Sequence, residues 1–301
     1  MGAGGTLRHY VELMRPRFFL SATVFPLTGY AVSPDKPASA AGVAADLAIL
    51  LVAYGVLGSG GNFAFNSAFD RDEGPVGFLE RPPAPPPRLA AFGLACMALG
   101  TAVFALRGPA PALLAASQGL LSIVYSRPTA GLPRLKDIPG VDAALNAVGA
   151  GVLPVLTGCA LTGTGALGST AVLGAGAAFS LSFLAGYPAW QIFQLEPRER
   201  YDRPTNYASL VGPRRVLVAS AACMVLAWAT LAATVDRDVV VGAPASLRKA
   251  LGFGALTALY AACAAVFARW SRRPFDAPKA RVYRFFALVM AARGFWIVGH
   301  W

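Results

Sequence analysis

The sequence predicts an all-α integral membrane protein, a bundle of about nine transmembrane helices that forms a single domain over residues 1–301. The chain is 56% hydrophobic and 14% charged, with a mean hydropathy of +0.54, whereas soluble domains carry about 25% charged residues. Its apolar runs reach the ~20 residues that cross a bilayer as a helix. They are rich in Ala, Leu and Val and lack the alternation of barrel strands, which favours helices.

The apolar runs define the expected spans in order along the chain. The first run follows Arg15 and Arg17 and lacks a small-residue cleavage site, so it is interpreted as a span rather than a signal peptide. The stretch "RGPA" joins the third run to the fourth, which predicts a tight hairpin. Small residues recur along the fifth and sixth runs and favour close helix packing in lipid. The spans lie near residues 17–33, 41–68, 88–107, 109–125, 141–163, 167–193, 213–235, 249–270 and 282–299.

The distribution of basic residues predicts the orientation of these spans. The N-terminal segment and the even-numbered loops together carry 20 Lys and Arg, whereas the odd-numbered loops carry five. Because loops rich in Lys and Arg stay in the cytoplasm, the N-terminus and the even loops are expected there. An odd number of spans then places the C-terminus outside.

Composition also excludes some classes of function. The four cysteines lie singly inside apolar runs, and the two histidines lie near the termini, so neither a zinc site nor a disulfide framework is expected. The net charge of +11 is explained by basic cytoplasmic loops, and no nucleic-acid partner is expected. The surrounding partner is membrane lipid.

A polar ladder ends the second span. Asn62, Asn66 and Asp70 follow one another at a spacing of four, so they share one face of a helix, and Asp72 and Glu73 come directly after. Polar groups at membrane depth are costly unless they face a cavity or a partner. Clustered carboxylates at such a site indicate a divalent cation, although the acidic residues of the loop could instead pair with neighbouring arginines.

A second polar segment follows the sixth span. Gln191, Gln194 and Arg198 lie near one helix face, with Glu196 and Glu199 on a neighbouring face. Four spans separate the two segments, so both are expected at the same side of the membrane. Taken alone, the second segment could also form ordinary ion pairs of a loop.

The loop between the fourth and fifth spans supplies cations on that same side. Arg134 and Lys136 suit phosphate oxygens, although positive-inside topology alone would also explain them. Asp142 and Asn146 follow at a spacing of four, where a helix cap and a substrate role are both open for Asp142.

Carboxylates, cations and a lipid environment together fit an amphiphile with a diphosphate head and a hydrocarbon tail. Mg²⁺ would stabilise the departing diphosphate, and aromatic faces would stabilise the allylic cation that remains. The candidate aromatic residues near the predicted mouth of the bundle are Phe63, Phe65, Phe69, Tyr125, Tyr187, Trp190 and Phe193.

These segments resemble the UbiA superfamily of intramembrane prenyltransferases. "NSAFDRDEGPVG", residues 66–77, is similar to the family's first aspartate-rich motif, NxxxDxxxD. "LMRPRFFLSATVFPLTGY" resembles its first helix, and "YSRPTAGLPRLKDIPGVDAALNAVGAG" resembles its stretch from the fourth helix into the fifth. "YPAWQIFQLEPRERYDRPT" resembles a Gln-containing variant of its second motif. The likeness covers most of the chain.

The resemblance implies Mg²⁺-dependent transfer of an isoprenoid from its diphosphate to an aromatic or lipid acceptor. Asn66 and Asp70 match the first motif, whereas the next expected Asp falls on Gly74, which leaves that ligand to Asp72 or Glu73. In the second motif the expected Asp falls near Arg198, which cannot bind a metal, with the matching Gln and Glu residues around it.

The family also has a basic residue four positions after Tyr125. Thr129 stands there, so Arg134 or Lys136 is expected to serve after an insertion. The resulting catalytic set is Asn66, Asp70 and Lys136. The candidate substrate-binding residues are Asn62, Tyr125, Arg134, Lys136, Asn146, Gln191 and Arg198, and the candidate metal ligands are Asn66, Asp70, Asp72, Glu73, Gln194, Glu196 and Glu199.

Three alternatives to transfer stay open from the sequence. A terpene cyclase on the same scaffold would ionise the same substrate and close the cation on its own tail. A non-catalytic lipid-binding or transport protein would use the polar ladder to line a pathway, although no internal repeat supports it. Gly74 and Arg198 would also be compatible with an inactive member of the family.

Overall fold

The computed structural model describes residues 3–70, 79, 81–128, 133–194, 206–243, 245–272 and 279–300. Within these ranges the regular structure is helical and no β-strand occurs, as the sequence predicts. The helices are α1 Ala3–Leu13, α2 Phe19–Val32, α3 Ala40–Ile49, α4 Gly60–Asp70, α5 Leu89–Ala105, α6 Pro109–Ser126, α7 Val141–Ala147, α8 Leu153–Thr162, α9 Thr170–Gln194, α10 Tyr207–Val211, α11 Pro213–Thr234, α12 Arg237–Val240, α13 Leu247–Trp270 and α14 Lys279–Gly299.

Each predicted span falls on a helix or on a continuous helical run. A π-helical segment, Leu50–Ser59, joins α3 to α4, and a second one, Val148–Val152, joins α7 to α8. Among the described residues five helices are long and apolar enough to cross a membrane by themselves: Ala40–Asp70, Val141–Thr162, Thr170–Ile192, Pro213–Thr234 and Leu247–Trp270. Leu89–Ala105 and Val289–Gly299 are shorter apolar helices.

The N-terminal helix α1 is an element that the hydropathy pattern does not reveal. Its last residue, Leu13, and the following Met14 are buried against Ala64 of α4 and Leu89 of α5. Tyr10 donates a hydrogen bond to the backbone oxygen of Pro87. The helix therefore fixes the segment before the first span against the ends of the second and third spans.

Close backbone contact joins α2 to α8. A Cβ atom added at Gly158 would lie 1.7 Å from the backbone oxygen of Pro26, and one added at Gly29 would lie 1.8 Å from that of Val155. Only glycine permits this approach, which matches the enrichment of small residues at helix interfaces in membranes. The contact sets the distance between the first and fifth spans.

The largest apolar core lies between α9 and α11. On α9, Ala175, Ala178 and Phe179 are fully buried, and on α11 Leu217 and Leu231 face them. The core places α9 at the centre of the bundle. As a result, the polar end of α9 lies beside other span ends rather than on the periphery.

Contacts between loops and helix ends fall into two sets, one at each end of the bundle. At one end, Arg15 donates to Ser67 (3.3 Å), and Arg134 contacts Asp70. At the other end, Ser33 and Thr162 share a hydrogen bond of 2.7 Å. Which side of the membrane each end faces stays a prediction from the basic residues.

Candidate active site

Asp70, the last residue of α4, receives two cations. Arg134 Nη1 donates to Asp70 Oδ1 at 3.0 Å, and Lys136 Nζ donates to the same oxygen. The side chain of Asp70 is only 10% exposed, so this charge lies mostly out of solvent. The two cations come from a loop more than 60 positions away in sequence and compensate the carboxylate at the helix end.

Asp137 holds the guanidinium of Arg134 in place. Arg134 Nε donates to Asp137 Oδ2 at 2.7 Å, and Nη2 donates to Oδ1 at 3.0 Å. These hydrogen bonds are the largest cause that raises the pKa of Arg134, so the side chain stays a cation. A short 3₁₀ turn, Leu135–Asp137, carries Lys136 next to it. The fixed fork leaves Nη1 of Arg134 directed at Asp70.

The rest of the polar ladder on α4 faces α6. Asn66 Oδ1 accepts a hydrogen bond from Ser126 at 3.0 Å. One turn deeper, Asn62 lines a cavity of about 30 Å³ together with Tyr54, Gln118 and Ser122. The structure therefore brings Asn66 and Asp70 to the end of the bundle, whereas Asn62 lines a small, largely apolar cavity among α4, α5 and α6.

A second polar cluster joins α7 to the end of α9. Asp142 is fully buried, and its Oδ2 accepts a hydrogen bond from Gln191 Nε2, while its Oδ1 accepts one from the backbone N–H of Gly140 at 2.8 Å. Asn146 Nδ2 donates to the backbone oxygen of Asp142 at 2.8 Å and to Tyr125 Oη at 3.0 Å. Asp142 thus bonds both to the backbone N–H of Gly140, the N-cap of its own helix, and to Gln191 on α9.

The last turn of α6 connects the two clusters. Tyr125 Oη lies 2.8 Å from Tyr187 Oη in the second cluster, and the next residue, Ser126, contacts Asn66 in the first. The two clusters are therefore neighbours at the same end of the bundle.

An aromatic stripe leads from this end towards the middle of α9. Phe179, Phe183, Tyr187 and Gln191 recur every four residues and so share one face of the helix. Phe183 stacks on Tyr187 with 5.9 Å between ring centroids, and Phe25 of α2 contacts both Phe179 and Phe183. These rings provide an apolar, π-rich surface next to the polar clusters.

The other aromatic candidates lie apart from this stripe. Phe63 contacts Phe18 at 5.3 Å and lies under the guanidinium of Arg15, whose Cζ is 5.2 Å from the ring centroid. Phe65 is buried and packs on Phe69 at 5.0 Å. These rings belong to the packing around α4.

Several predicted ligands lie outside the described residues: Asp72, Glu73, Glu196, Arg198 and Glu199. The same applies to Thr129 and to the side chains of Phe193 and Gln194. Within the described ranges, no group of three or more His, Cys, Asp or Glu could hold a metal ion. The expected meeting of two acidic patches therefore stays a prediction.

The described residues nevertheless fit a magnesium ion that is shared with a phosphate. Asp70 offers a carboxylate and Asn66 an amide oxygen, one helical turn apart. Mg²⁺ prefers oxygen ligands and is usually bound through one or two carboxylates plus substrate phosphates. Arg134 and Lys136 beside Asp70 suit the phosphate oxygens in that arrangement.

Two features of this end were missed by sequence reasoning. The pairing of Asp142 with Gln191 joins residues 49 positions apart, and the sequence spacing of Asp142 pointed equally to a cap. The contact of Arg15 with Ser67 also joins distant segments. A polar residue in each of two apolar spans was the available signal, but it does not indicate which residues meet.

The fold is shared with solved membrane proteins. A structure of digeranylgeranylglyceryl phosphate synthase in membranes matches with a TM-score of 0.67 and 14% identity, covering 98% of this chain and 99% of that one. A UbiA homologue from Archaeoglobus fulgidus bound to GPP and Mg²⁺ matches with a TM-score of 0.64 and 17% identity, covering 96% of this chain and 99% of that one. At these identities the likeness shows the fold alone.

Sequence comparison identifies the family. No curated protein sequence matches this chain significantly. The family model described as the UbiA prenyltransferase family matches residues 22–289, which is most of the chain. The chain therefore belongs to the UbiA prenyltransferase family.

Proposed function

We propose that the protein transfers a prenyl group from a prenyl diphosphate to a hydrophobic acceptor within the membrane. The observation that carries the proposal is the contact of one carboxylate, Asp70, with both Arg134 and Lys136 at the end of a membrane helix. The relative with GPP and Mg²⁺ bound supports the substrate class. Family membership supports the reaction type.

Arg134 and Lys136 can exchange their carboxylate partners for a diphosphate when the substrate binds. Without substrate, Asp70 and Asp137 balance Arg134 and Lys136. When a diphosphate binds, both cations can turn their donors to its oxygens, because charge-assisted hydrogen bonds to phosphate are strong. Asp70 and Asn66 would hold Mg²⁺ through their oxygens, and the ion would supply positive charge that stabilises the leaving diphosphate.

The chemistry follows from what these residues hold in place. The bond between C1 of the prenyl group and the diphosphate oxygen breaks, and the electron pair leaves with the diphosphate that Arg134 and Lys136 retain. Tyr125, Tyr187 and Phe183 present aromatic rings that can stabilise an allylic cation without trapping it. The acceptor supplies the electron pair of the new bond to C1 and loses a proton.

The test is a charge-removing substitution with a matched control. Asp70→Asn keeps the shape of the side chain but removes the charge, so we expect Mg²⁺-dependent release of diphosphate from GPP to fall at least ~100-fold, the size typical of lost electrostatic stabilisation. The control is Asp238→Asn, which removes the charge of another carboxylate that pairs with a lysine, Lys249, outside both polar clusters. We expect the control to retain most activity.

The measurement is diphosphate release by the purified protein in detergent, with product identification by mass spectrometry. Unchanged turnover by folded Asp70→Asn protein would remove the central assignment. Cyclised hydrocarbons formed without any acceptor would indicate the cyclase alternative. Uptake or binding without diphosphate release would indicate the transport alternative.

A further inference from the structure

The amide of Gln191 has an orientation that its partner dictates. Asp142 is fully buried, and both of its oxygens receive N–H donors, from Gly140 and from Gln191. A carboxylate only accepts hydrogen bonds, so Gln191 must turn Nε2 rather than Oε1 towards it. The amide oxygen is therefore directed away from Asp142.

This amide oxygen is buried and has no partner among the described residues. Gln191 is 5% exposed, and its Oε1 accepts no hydrogen bond in the described part of the chain. Native structures satisfy most buried polar atoms, and an unsatisfied one points to a ligand, an ion or a function. An amide oxygen can be satisfied by a hydrogen-bond donor.

The neighbouring tyrosines leave one hydroxyl hydrogen available. Tyr125 Oη and Tyr187 Oη are 2.8 Å apart, so one hydroxyl hydrogen lies between them, and Asn146 Nδ2 donates to Tyr125. The second hydroxyl hydrogen is free for another acceptor. When Tyr125 is the donor of that pair, the hydrogen of Tyr187 stays available, and Tyr187 lies one turn before Gln191 on α9.

We propose that Gln191 and the Tyr125–Tyr187 pair form the subsite that binds the hydroxyl group of a hydrophobic acceptor. A hydroxyl donates one hydrogen bond, to Gln191 Oε1, and accepts another, from a tyrosine, which matches the two open groups. Phe183, stacked on Tyr187, offers the apolar surface for the rest of the acceptor. The inference deepens the proposed function and rests on it.

In this proposal Asp142 is a positioning residue. It does not touch the acceptor, but it fixes which end of the Gln191 amide is presented. An acceptor without a hydroxyl would offer Gln191 Oε1 no hydrogen-bond donor. Sites built to hydrogen-bond a substrate hydroxyl discriminate strongly against analogues that lack it.

The first test compares two ligands that differ only in whether the phenolic oxygen carries a hydrogen or a methyl group. Binding of 4-nonylphenol and of 4-nonylanisole to the purified protein is measured by tryptophan fluorescence, without Mg²⁺ and without any prenyl diphosphate. We expect the phenol to bind about tenfold more tightly, the effect of one satisfied buried hydrogen bond. Equal affinities of the wild-type protein for both ligands would overturn the inference.

The second test changes Gln191 and Asp142, first singly and then together so that amide and carboxylate swap positions. Gln191→Leu and Asp142→Asn are each expected to reduce the preference for the phenol to near unity. The first change removes the accepting oxygen, and the second replaces the carboxylate by an amide, which no longer dictates the orientation of Gln191.

The double variant Asp142→Asn with Gln191→Glu restores a bonded pair and again leaves an oxygen free to accept. We expect it to recover the preference for the phenol, which a merely structural role would not predict.

The controls separate this subsite from the site of ionisation. Gln118→Leu removes another glutamine, which bonds to Tyr54 and to the backbone oxygen of Gly149, and should keep the preference. Asp70→Asn should also keep it while losing diphosphate release. A wild-type protein that releases diphosphate but shows no preference would refute this inference alone, whereas the reverse result would refute the proposed function.

Discussion

Three buried or nearly buried carboxylates of this protein are stabilised by different kinds of partner. Asp70 receives two cations at a site where substrate phosphate is expected. Asp142 receives only neutral N–H donors. Asp46, at the opposite end, is fully buried and is paired with Arg107, with Tyr30 Oη donating at 3.2 Å. Only the last of these has the arrangement of a structural ion pair.

The Asp46–Arg107 pair is expected to respond unequally to loss of either partner. Arg107→Ala leaves a buried carboxylate with Tyr30 alone, and breaking a buried pair in this way costs about 3–5 kcal/mol. Asp46→Asn should cost less, because the Arg107 side chain is 34% exposed and can turn to water. Thermal unfolding in detergent measures the difference.

The control for this pair is Arg237→Ala, which removes an exposed arginine at the same end of the bundle. Its midpoint of unfolding should stay near that of the wild-type protein. Equal losses for Arg107→Ala and Asp46→Asn would contradict the burial argument.

At the scale of helices, the crossing of α2 and α8 is determined by glycine. The backbones approach so closely that a Cβ at Gly158 would overlap the backbone oxygen of Pro26, which cannot move without its helix. The same crossing positions α7, which continues into α8 through the π-helical segment and carries Asp142. A substitution at Gly158 is therefore expected to shift α7 and, with it, Asp142 at the polar end of the bundle.

We expect Gly158→Ala to separate α2 from α8 and to reduce the yield of folded protein severely. Gly254→Ala on α13 is the matched control, because a Cβ there meets no atom within 4 Å. Size-exclusion chromatography and the midpoint of thermal unfolding compare the two variants. A Gly158→Ala protein as stable as the control would show that the helices can shift without cost.

For the whole molecule, the contacts at the two ends of the bundle bear on how the chain lies in the membrane. Arg15 with Ser67 and Arg134 with Asp70 connect the N-terminal segment and the even loops. The Asp46–Arg107 pair connects helix α3 to the end of α5 at the other end of the bundle. The basic residues predict that the first set faces the cytoplasm.

This orientation is tested by cysteine labelling in intact cells. Ala38 and Ala84 are exposed residues of the first and second loops between spans. A membrane-impermeant maleimide should label the Ala38→Cys variant and not the Ala84→Cys variant until the membrane is opened. The native cysteines give little background because each is buried or half-buried. Labelling of the Ala84→Cys variant alone in intact cells would show that the orientation is opposite to the predicted one.

The sequence by itself determined the spans, the fold class and the end of the bundle at which polar chemistry is expected. Lipid imposes length and hydropathy on every span locally, so these properties can be read without knowing any partner. The spacing of Asn66 and Asp70 was equally local, because a helix places residues four apart on one face.

Tertiary structure alone decided which polar groups meet. Arg134 contacts Asp70, 64 positions away in sequence, and Gln191 contacts Asp142, 49 positions away. Asn62 instead lines a cavity among α4, α5 and α6. These contacts depend on the rotation and crossing of helices, which close packing at Gly29 and Gly158 fixes. Periodicity within one span carries no information about the rotation of the next.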